Sequence, residues 1–405
     1  MRAEGDVLII GAGPVGLTLA NLLGAAGIPC LLLDRRTETP LQSRAIGVAP
    51  PSLAIMESVG CLEALMGRGV PIRDAVVWDG RRTRGTLTFR HLPGRYPMVL
   101  AVPQRETMRI LEDRLPAWSC VCYQDGMEFL GLRDAGPRPE IRLRDLRSGR
   151  ESTVAPSLLI GCDGHRSAVR EAAGFACARK RYRTAFSMAD FEGGPSMGSP
   201  AHLFFTEKGA VESFPLPGGR RRWIVQMQDL RDRLDGPGLV ECVRARTGAD
   251  LAAADGSDVS WFQPQRQCAG RFAAGRIVLC GDSAHVMTPI GGQGMNTGLA
   301  DARHAAEMIG RWRAGASWKR LCAAYDRRRR RAFRFAADRA ALGMWIGTRK
   351  GPLARPRSAL VARCLRSERL ARAMAMHYAM LTVPPDGPAR SGRTCGGRRD
   401  PGGTG

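Results

Sequence analysis

The chain has 405 residues, of which 44% are hydrophobic and 24% charged, the make-up of an ordinary globular protein with room for about two domains. No apolar run reaches the roughly 18 residues of a membrane span, and no basic stretch precedes a long apolar one at the N-terminus, so the chain reads as a soluble, cytoplasmic protein. The net charge is +23. Residues 301–405 hold 24 Lys and Arg against 7 Asp and Glu, which places +17 of the excess in the last quarter; nearly all of it is Arg. The run Arg327 to Arg331 reads as a solvated helix face, and no nucleic-acid partner is expected. Twelve cysteines are scattered with no CxxC pair, and the six His lack ligand spacing, so neither a disulfide framework nor a metal site is expected.

In chain order, Val7 to Ile10 is a short apolar run of the kind found in buried parallel strands. Gly11 to Gly16 makes a turn, Leu17 to Ala26 is helical and stops at Gly27, and Cys30 to Leu33 is a second strand closed by Asp34. Residues 49–68 predict one helix, with Pro50 and Pro51 at its start. Residues 72–90 predict a hairpin turning at Asp79-Gly80, 104–116 a helix, and 127–160 short strands separated by polar turns. Residues 184–228 are strand-rich with a turn at Pro217-Gly218-Gly219, 238–247 are helical, and Ile277 to Cys280 is another buried strand. From 292 to about 347 the pattern is long and helical. The tail from 384 is rich in Pro, Gly and Arg and reads as disordered. The fold class is therefore α/β: a Rossmann-like domain assembled from 1–71, 100–180 and 269–345, interleaved with a β-sheet domain from 72–99 and 181–268, then a C-terminal helical segment over 346–383 and the tail 384–405.

Three motifs carry chemistry. In Gly11-Ala12-Gly13-Pro14-Val15-Gly16 the first glycine permits a tight turn, the second lets backbone approach a pyrophosphate, and the third lets the helix pack against the strand. The helix N-terminus offers N–H donors and a positive dipole end to the phosphates. Asp34, 23 residues after Gly11, ends the second strand, where a carboxylate accepts hydrogen bonds from ribose hydroxyls. The second motif, Asp163-Gly164, ends the strand Leu158 to Gly161, and Ser167 can cap the helix that follows. In the third, a strand ends at Gly281-Asp282 and a loop runs through Pro289, Gly291, Gly292, Gly294, Met295 and Asn296 into a helix. The first N–H groups of that helix could hold the negative charge of a reduced flavin. Three sites for one extended diphosphate ligand point to FAD.

In this order and spacing the motifs resemble those of the para-hydroxybenzoate hydroxylase family, the single-component FAD aromatic hydroxylases, over residues 5–345. The resemblance implies a glutathione-reductase type FAD domain. Its ADP half would be held by Gly11, Gly13, Pro14, Val15, Gly16, Asp34 and Arg35. Arg44 would reach the pyrophosphate and Gln104 the flavin side chain. Asp163 and Gly164 would serve both FAD and the transient co-substrate NADPH or NADH. Asp282 would bind ribityl, Pro289 would lie beside the reactive ring edge, and Gly292, Gly294, Met295 and Asn296 would flank the pyrimidine end. The resemblance further implies a monooxygenase that hydroxylates an aromatic or polyketide-like small molecule with O2 through a flavin C4a-hydroperoxide. It corresponds to a short form without the thioredoxin-like domain of longer members.

No side chain can be named as the substrate's base from sequence. Phe204, Phe214 and Trp223 in the strand-rich insert are candidates to line a substrate pocket, or alternate ones belong to the core of that sheet. His285 and Ser283 suggest a hydrolytic pair, but no GxSxG elbow is present and His285 reads as structural. A flavin-dependent halogenase shares the first motif, yet the chain has no WxWxIP segment and lysine is nearly absent before residue 180. An FAD oxidase or reductase of the geranylgeranyl-reductase type shares the other two motifs. A non-catalytic or truncated FAD-binding protein is the alternative from another class.

Overall fold

A computed structural model describes residues 7–38, 45–80, 82–134, 138–192, 197–227, 230–251, 259–289, 291–348 and 354–383. Arg44 and the tail from 384 lie outside the described residues.

Strand Val7–Ile10 is wholly buried and pairs in parallel with Cys30–Leu33 on one side and Leu158–Gly161 on the other. Val121–Gln124 extends this sheet beyond Cys30–Leu33, and Ile277–Leu279 extends it beyond Leu158–Gly161; the short antiparallel strand Ala273–Ala274 closes that edge. The central strands are continuous apolar runs because both sheet faces are covered. Helix α1 (Pro14–Ala25) starts at Pro14, three residues before the expected Leu17, since Gly13 already serves as its N-cap. It ends in a Schellman turn: Gly27 has φ +64° and the Ile28 N–H bonds the Leu23 carbonyl at 2.9 Å.

The helix expected over 49–68 is two, α2 (Pro50–Ser58) and α3 (Leu62–Gly67). Gly60 takes φ +73° and the Cys61 N–H bonds back to the Met56 carbonyl at 2.9 Å, the same stop signal. Helix α4 spans Gln104–Arg114, and α5 (Ala168–Ala172) is capped by the Ser167 hydroxyl, which accepts the Arg170 N–H at 2.9 Å. Helix α6 spans Gly236–Thr247. The pattern over 292–347 also divides, into α7 (Gln293–Arg313) and α8 (Trp318–Gly347), at Gly315 with φ +91°. Helices α9 (Ala354–Arg366) and α10 (Glu368–Tyr378) follow.

A second, seven-stranded sheet runs in the order Ser260–Phe262, Ala185–Phe191, Arg221–Met227, Gly209–Pro215, Ala201–Thr206, Asp74–Trp78, Thr83–Thr88. It is antiparallel except where Ala201–Thr206 meets Asp74–Trp78. One face packs Phe191, Phe204, Val211, Trp223 and Val225 against Leu239 and Val243 of α6. The other face carries Leu203 and Phe214 toward a cluster that includes Ala375, Ala379 and Tyr378 from the C-terminal helices. Helices α9 and α10 thus dock on this sheet, and the buried Arg357 of α9 donates to the Phe205 carbonyl at 2.6 Å. No helix among the described residues is long and apolar enough to cross a membrane.

Candidate cofactor site

The glycine turn is set by contacts that leave little choice of residue. Gly11 sits at φ +103°, and a Cβ there would lie 2.5 Å from the Cys162 carbonyl oxygen. A Cβ on Gly16 would lie 1.9 Å from the Gly11 carbonyl oxygen, so Gly16 serves the turn itself. Gly13 is different: a Cβ there meets nothing within 4 Å. It faces open space at the N-terminus of α1, where the amides and dipole are directed. The side chain of Val15 is a packing spacer, because Cβ atoms on Gly281 and Gly298 would fall 2.8 and 2.7 Å from its Cγ2. Through those two glycines the start of α1 is pressed against the third motif and against α7.

Asp34 is buried at the C-terminal end of its strand. Its Oδ2 accepts the Ala12 N–H at 2.6 Å, and Arg36 donates its backbone N–H to Oδ1 at 2.8 Å, Nε to Oδ1 at 3.0 Å and Nη2 to Oδ2 at 2.7 Å. Burial raises the Asp34 pKa, but the Arg36 hydrogen bonds and charge, aided by Ala12, outweigh it and hold the carboxyl below its ordinary value. Arg36, which sequence reasoning passed over, is therefore the arginine at Asp34; the expected Arg35 is exposed. A shallow pocket opens beside them, with Glu38, Glu112, Tyr123 and Asp125 on its walls. Burial, then the charges of Asp113 and Asp125, raise Glu112, and burial and Glu112 push Tyr123 up to about 12. Such a wall offers acceptors to ribose hydroxyls and repels an additional phosphate.

Gln104, at the first turn of α4, joins this edge by accepting the Ala45 N–H at 3.2 Å. In the second motif Asp163 accepts the Val169 N–H on Oδ2 at 3.1 Å, while its Oδ1 is buried with no hydrogen-bond partner among the described residues. Burial raises its pKa. Gly164 has φ +80° and open space where a Cβ would be. Arg170, one turn later and buried, donates to the Ser283 carbonyl at 2.9 Å and the His165 carbonyl at 3.1 Å, locking the second motif to the third.

In the third motif Asp282 is exposed at the end of its strand. Pro289 is exposed, and its carbonyl accepts the Gly292 N–H at 2.8 Å. Gly291 and Gly292 take φ +82° and +64°, conformations that favour glycine. Gly292 caps α7, and a Cβ on Gly294 would find nothing nearer than Met287 Cγ at 4.0 Å. Met295 is partly buried against the core. The expectation for Asn296 changes. Its side-chain amide donates to the Gly47 and Gly292 carbonyls at 2.9 and 2.8 Å, and its carbonyl accepts the Ala49 N–H at 2.9 Å. It tethers α7 to the segment before α2, leaving backbone N–H groups as what this turn offers a ligand.

Ser283 and His285 do not pair. The Ser283 hydroxyl donates to the Gly161 and Cys280 carbonyls, and His285 Nε2 lies 2.6 Å from Asp301 Oδ2. Asp301, fully buried, also accepts the Gly281 N–H at 2.9 Å and Arg329 Nε at 2.6 Å. Burial raises its pKa, but His285 and Arg329 outweigh it and hold the carboxyl down at about 2. Phe204 and Trp223 are corrected to core: both are buried, their rings 6.2 Å apart on the face covered by α6. Phe214 alternates onto the opposite face.

The C-terminal ends of the parallel strands thus gather the glycine turn, Asp34, Asp163 and the third motif along one edge, where α/β sheets take ligands. The open cradle at Gly13 and the unpartnered Asp163 oxygen fit an extended diphosphate-bearing group. The family described as FAD binding domain matches residues 4–340. Over 317 residues the chain is 33% identical to a 6-methylpretetramide 4-monooxygenase of Streptomyces rimosus, covering 75% of this chain and 56% of that protein. It is 30% identical over 321 residues to a pentachlorophenol 4-monooxygenase of Sphingobium chlorophenolicum, covering 74% and 57%. The chain therefore spans little more than half the length of these curated relatives. A p-nitrophenol 4-monooxygenase of Pseudomonas putida DLL-E4 shares the fold, with a TM-score of 0.85 at 22% identity over 94% of this chain and 99% of that one.

Proposed function

The chain belongs to the FAD binding domain family, and from that premise we propose that it is an FAD-dependent monooxygenase that uses NADPH or NADH and O2 to hydroxylate an aromatic or polyketide-like small molecule. The observation that carries this reading is the convergence of three motifs, distant in sequence, on one sheet edge with an open cradle at Gly13. The named relatives are a 6-methylpretetramide 4-monooxygenase and a pentachlorophenol 4-monooxygenase, which supports the substrate class. The need for an intracellular reductant is the reason for assigning the protein to the cytoplasm.

When bound, FAD supplies acceptance of hydride and activation of dioxygen; the protein supplies position and exclusion of water. Gly13 and the first N–H groups of α1 receive the pyrophosphate, and Asp34 the ribose hydroxyls. Gln104 and Asp282 face the linker between the diphosphate and the ring. The N–H groups at the start of α7 would help to hold the flavin ring, offering a positive dipole end to negative charge on it. Pro289 and Gly292 would help to hold the ring from its other side.

The test is a screen of phenols and polyketide aromatics for NADPH consumption coupled to incorporation of labelled oxygen into product. We expect one or more compounds to do both. Protein that retains FAD and consumes NADPH without placing oxygen in any product overturns the reading.

A further inference from the structure

The run Arg327 to Arg331 divides between two faces of α8. Arg329 is buried against Asp301 at 2.6 Å, and Arg330 pairs with Asp326 at 3.5 Å. Arg327, Arg328 and Arg331 are exposed, as is Arg334 a turn later. At about 100° per residue, Arg327, Arg331, Arg334, Asp338, Leu342 and Trp345 fall within an arc of about 80° and span about 27 Å of helix. Leu342 and Trp345 are 56% and 57% exposed. One outward stripe of α8 thus carries cations along its middle and large apolar side chains at its C-terminal end. The opposite face holds the helix to the body through Tyr325, Phe333 and Met344, all buried, so a fixed element displays the stripe.

The charge on this surface is not balanced from within. Among the described residues no carboxylate pairs with Arg327, Arg328, Arg331 or Arg334. The acid on the stripe, Asp338, is already answered by Arg266 at 2.6 Å. Arg266 stands on the strand Gln265–Ala269, directly opposite Lys180 of the strand Cys177–Arg181 in the antiparallel register. Like charges opposite one another on neighbouring strands are destabilising, and so are like charges three or four residues apart on a helix. The core does not require this repulsion, because the helix arginines are exposed. An anionic surface laid across the patch relieves it.

We propose that this face docks on an anionic phospholipid surface. Leu342 and Trp345 enter the boundary between headgroups and acyl chains, and Arg327, Arg331 and Arg334 meet the phosphates. The contact is peripheral, since no helix among the described residues is long and apolar enough to cross a membrane. The apolar end of the stripe decides between polyanions. An aliphatic side chain gains by leaving water at a lipid boundary and finds no such place on the sugar-phosphate backbone of a nucleic acid. A second copy of the chain seated on the same face would set the arginines of the two copies into one interface, where they repel. The assignment does not depend on the hydroxylase reading.

The experiment sediments the purified full chain with vesicles of phosphatidylcholine alone, or mixed with phosphatidylglycerol, at an ionic strength of about 0.15 M. Wild type should pellet with the mixed vesicles and stay in solution with the neutral ones. An arginine near a charged bilayer counts for about fivefold, so Arg327→Gln, Arg331→Gln and Arg334→Gln combined should weaken binding about a hundredfold. Leu342→Ser with Trp345→Ser keeps the charge and should weaken binding about tenfold. Arg109→Gln, Arg142→Gln and Arg147→Gln combined remove the same charge from other elements and should bind as wild type does. Flavin absorbance and a melt show that each variant is folded. Wild type left in solution with the mixed vesicles overturns the proposal. So does binding that the serine variant leaves unchanged, or that the remote arginine changes reduce as much as those in α8. A dimer that the serine variant dissociates assigns the face to a second copy and overturns it too. A nucleic acid bound more tightly than the mixed vesicles, with the same dependence on the α8 arginines, overturns it in favour of that polyanion.

Discussion

At the scale of single residues, Gly13 and Glu212 are two positions where the protein accepts a local cost that folding does not ask for. Gly13 has neither positive φ nor a crowding neighbour, so no described residue of the chain requires a glycine there, and on the proposed reading the space is kept for the pyrophosphate. Gly13→Asp should fold normally, and its FAD affinity should fall by about two orders of magnitude or more, since like charges placed together cost several kcal/mol. Flavin absorbance of the purified variant beside a thermal melt checks this; full FAD content would remove Gly13 from the site. Glu212 has a native pKa near 7 and a higher value than in the unfolded chain. The native state therefore binds its proton more tightly than the unfolded state does. Its contribution to stability is present in full below about 4.5 and is lost as pH rises through 7. Glu212→Gln should leave the melting temperature unchanged at pH 4 and raise stability above pH 7 by on the order of 1–3 kcal/mol. Equal effects at both pH values would mean that the carboxyl is not held as described.

At the scale of elements, the start of α7 is set by two glycines and one asparagine. Gly291 and Gly292 are required by their positive φ, and Asn296 anchors the turn from below. Gly294 has no such duty, with open room around the position of a Cβ. Gly294→Val should therefore fold, and it should impair flavin binding or slow flavin reduction by NADPH, because the branched side chain occupies the approach to the ring. Stopped-flow reduction run beside a melt decides the matter. Lost stability with normal reduction in the folded fraction would make the glycine a matter of chain geometry only. The breaks at Gly60 and Gly315 follow from the same property of glycine: each sits inside an apolar pattern that continues past it, and the left-handed conformation ends the helix regardless.

At the scale of the whole molecule, Asp301 is the point where distant segments meet. Its two oxygens gather the Gly281 amide of the third motif, His285, and Arg329 of α8 in one buried network. The His285 ring in turn stacks on Phe333 at 4.8 Å. Asp301→Asn leaves Arg329 buried without its counter-charge, and breaking a buried pair in this way typically costs about 3–5 kcal/mol. We expect the unfolding free energy to fall by about 3–5 kcal/mol, seen as a lower melting temperature, together with reduced FAD content. A variant as stable as wild type would show that the network is dispensable.

The sequence by itself determined the parallel sheet, the glycine turn and the acidic residue at the end of the second strand. These depend on neighbours a few residues apart: continuous apolar runs, a glycine with φ +103°, a carboxylate following four buried residues. The same local logic reached the hairpin at Asp79 and the Ser167 cap. What only the tertiary structure decided is which side chains face which. Alternation along a strand says that Phe204 and Glu212 point to opposite faces, but not which face α6 covers, and so Phe204 and Trp223 were candidates for a pocket they do not line. Arg36, Arg170 and Asp301 carry no motif, because their partners are fixed by packing and, for the latter two, lie on other elements. Glu212 and Tyr378 are the extreme case. Tyr378 packs with Leu203 and Phe214, the neighbours of Glu212, because α10 docks on the face of the sheet that α6 leaves bare, and no periodicity in either segment records that packing.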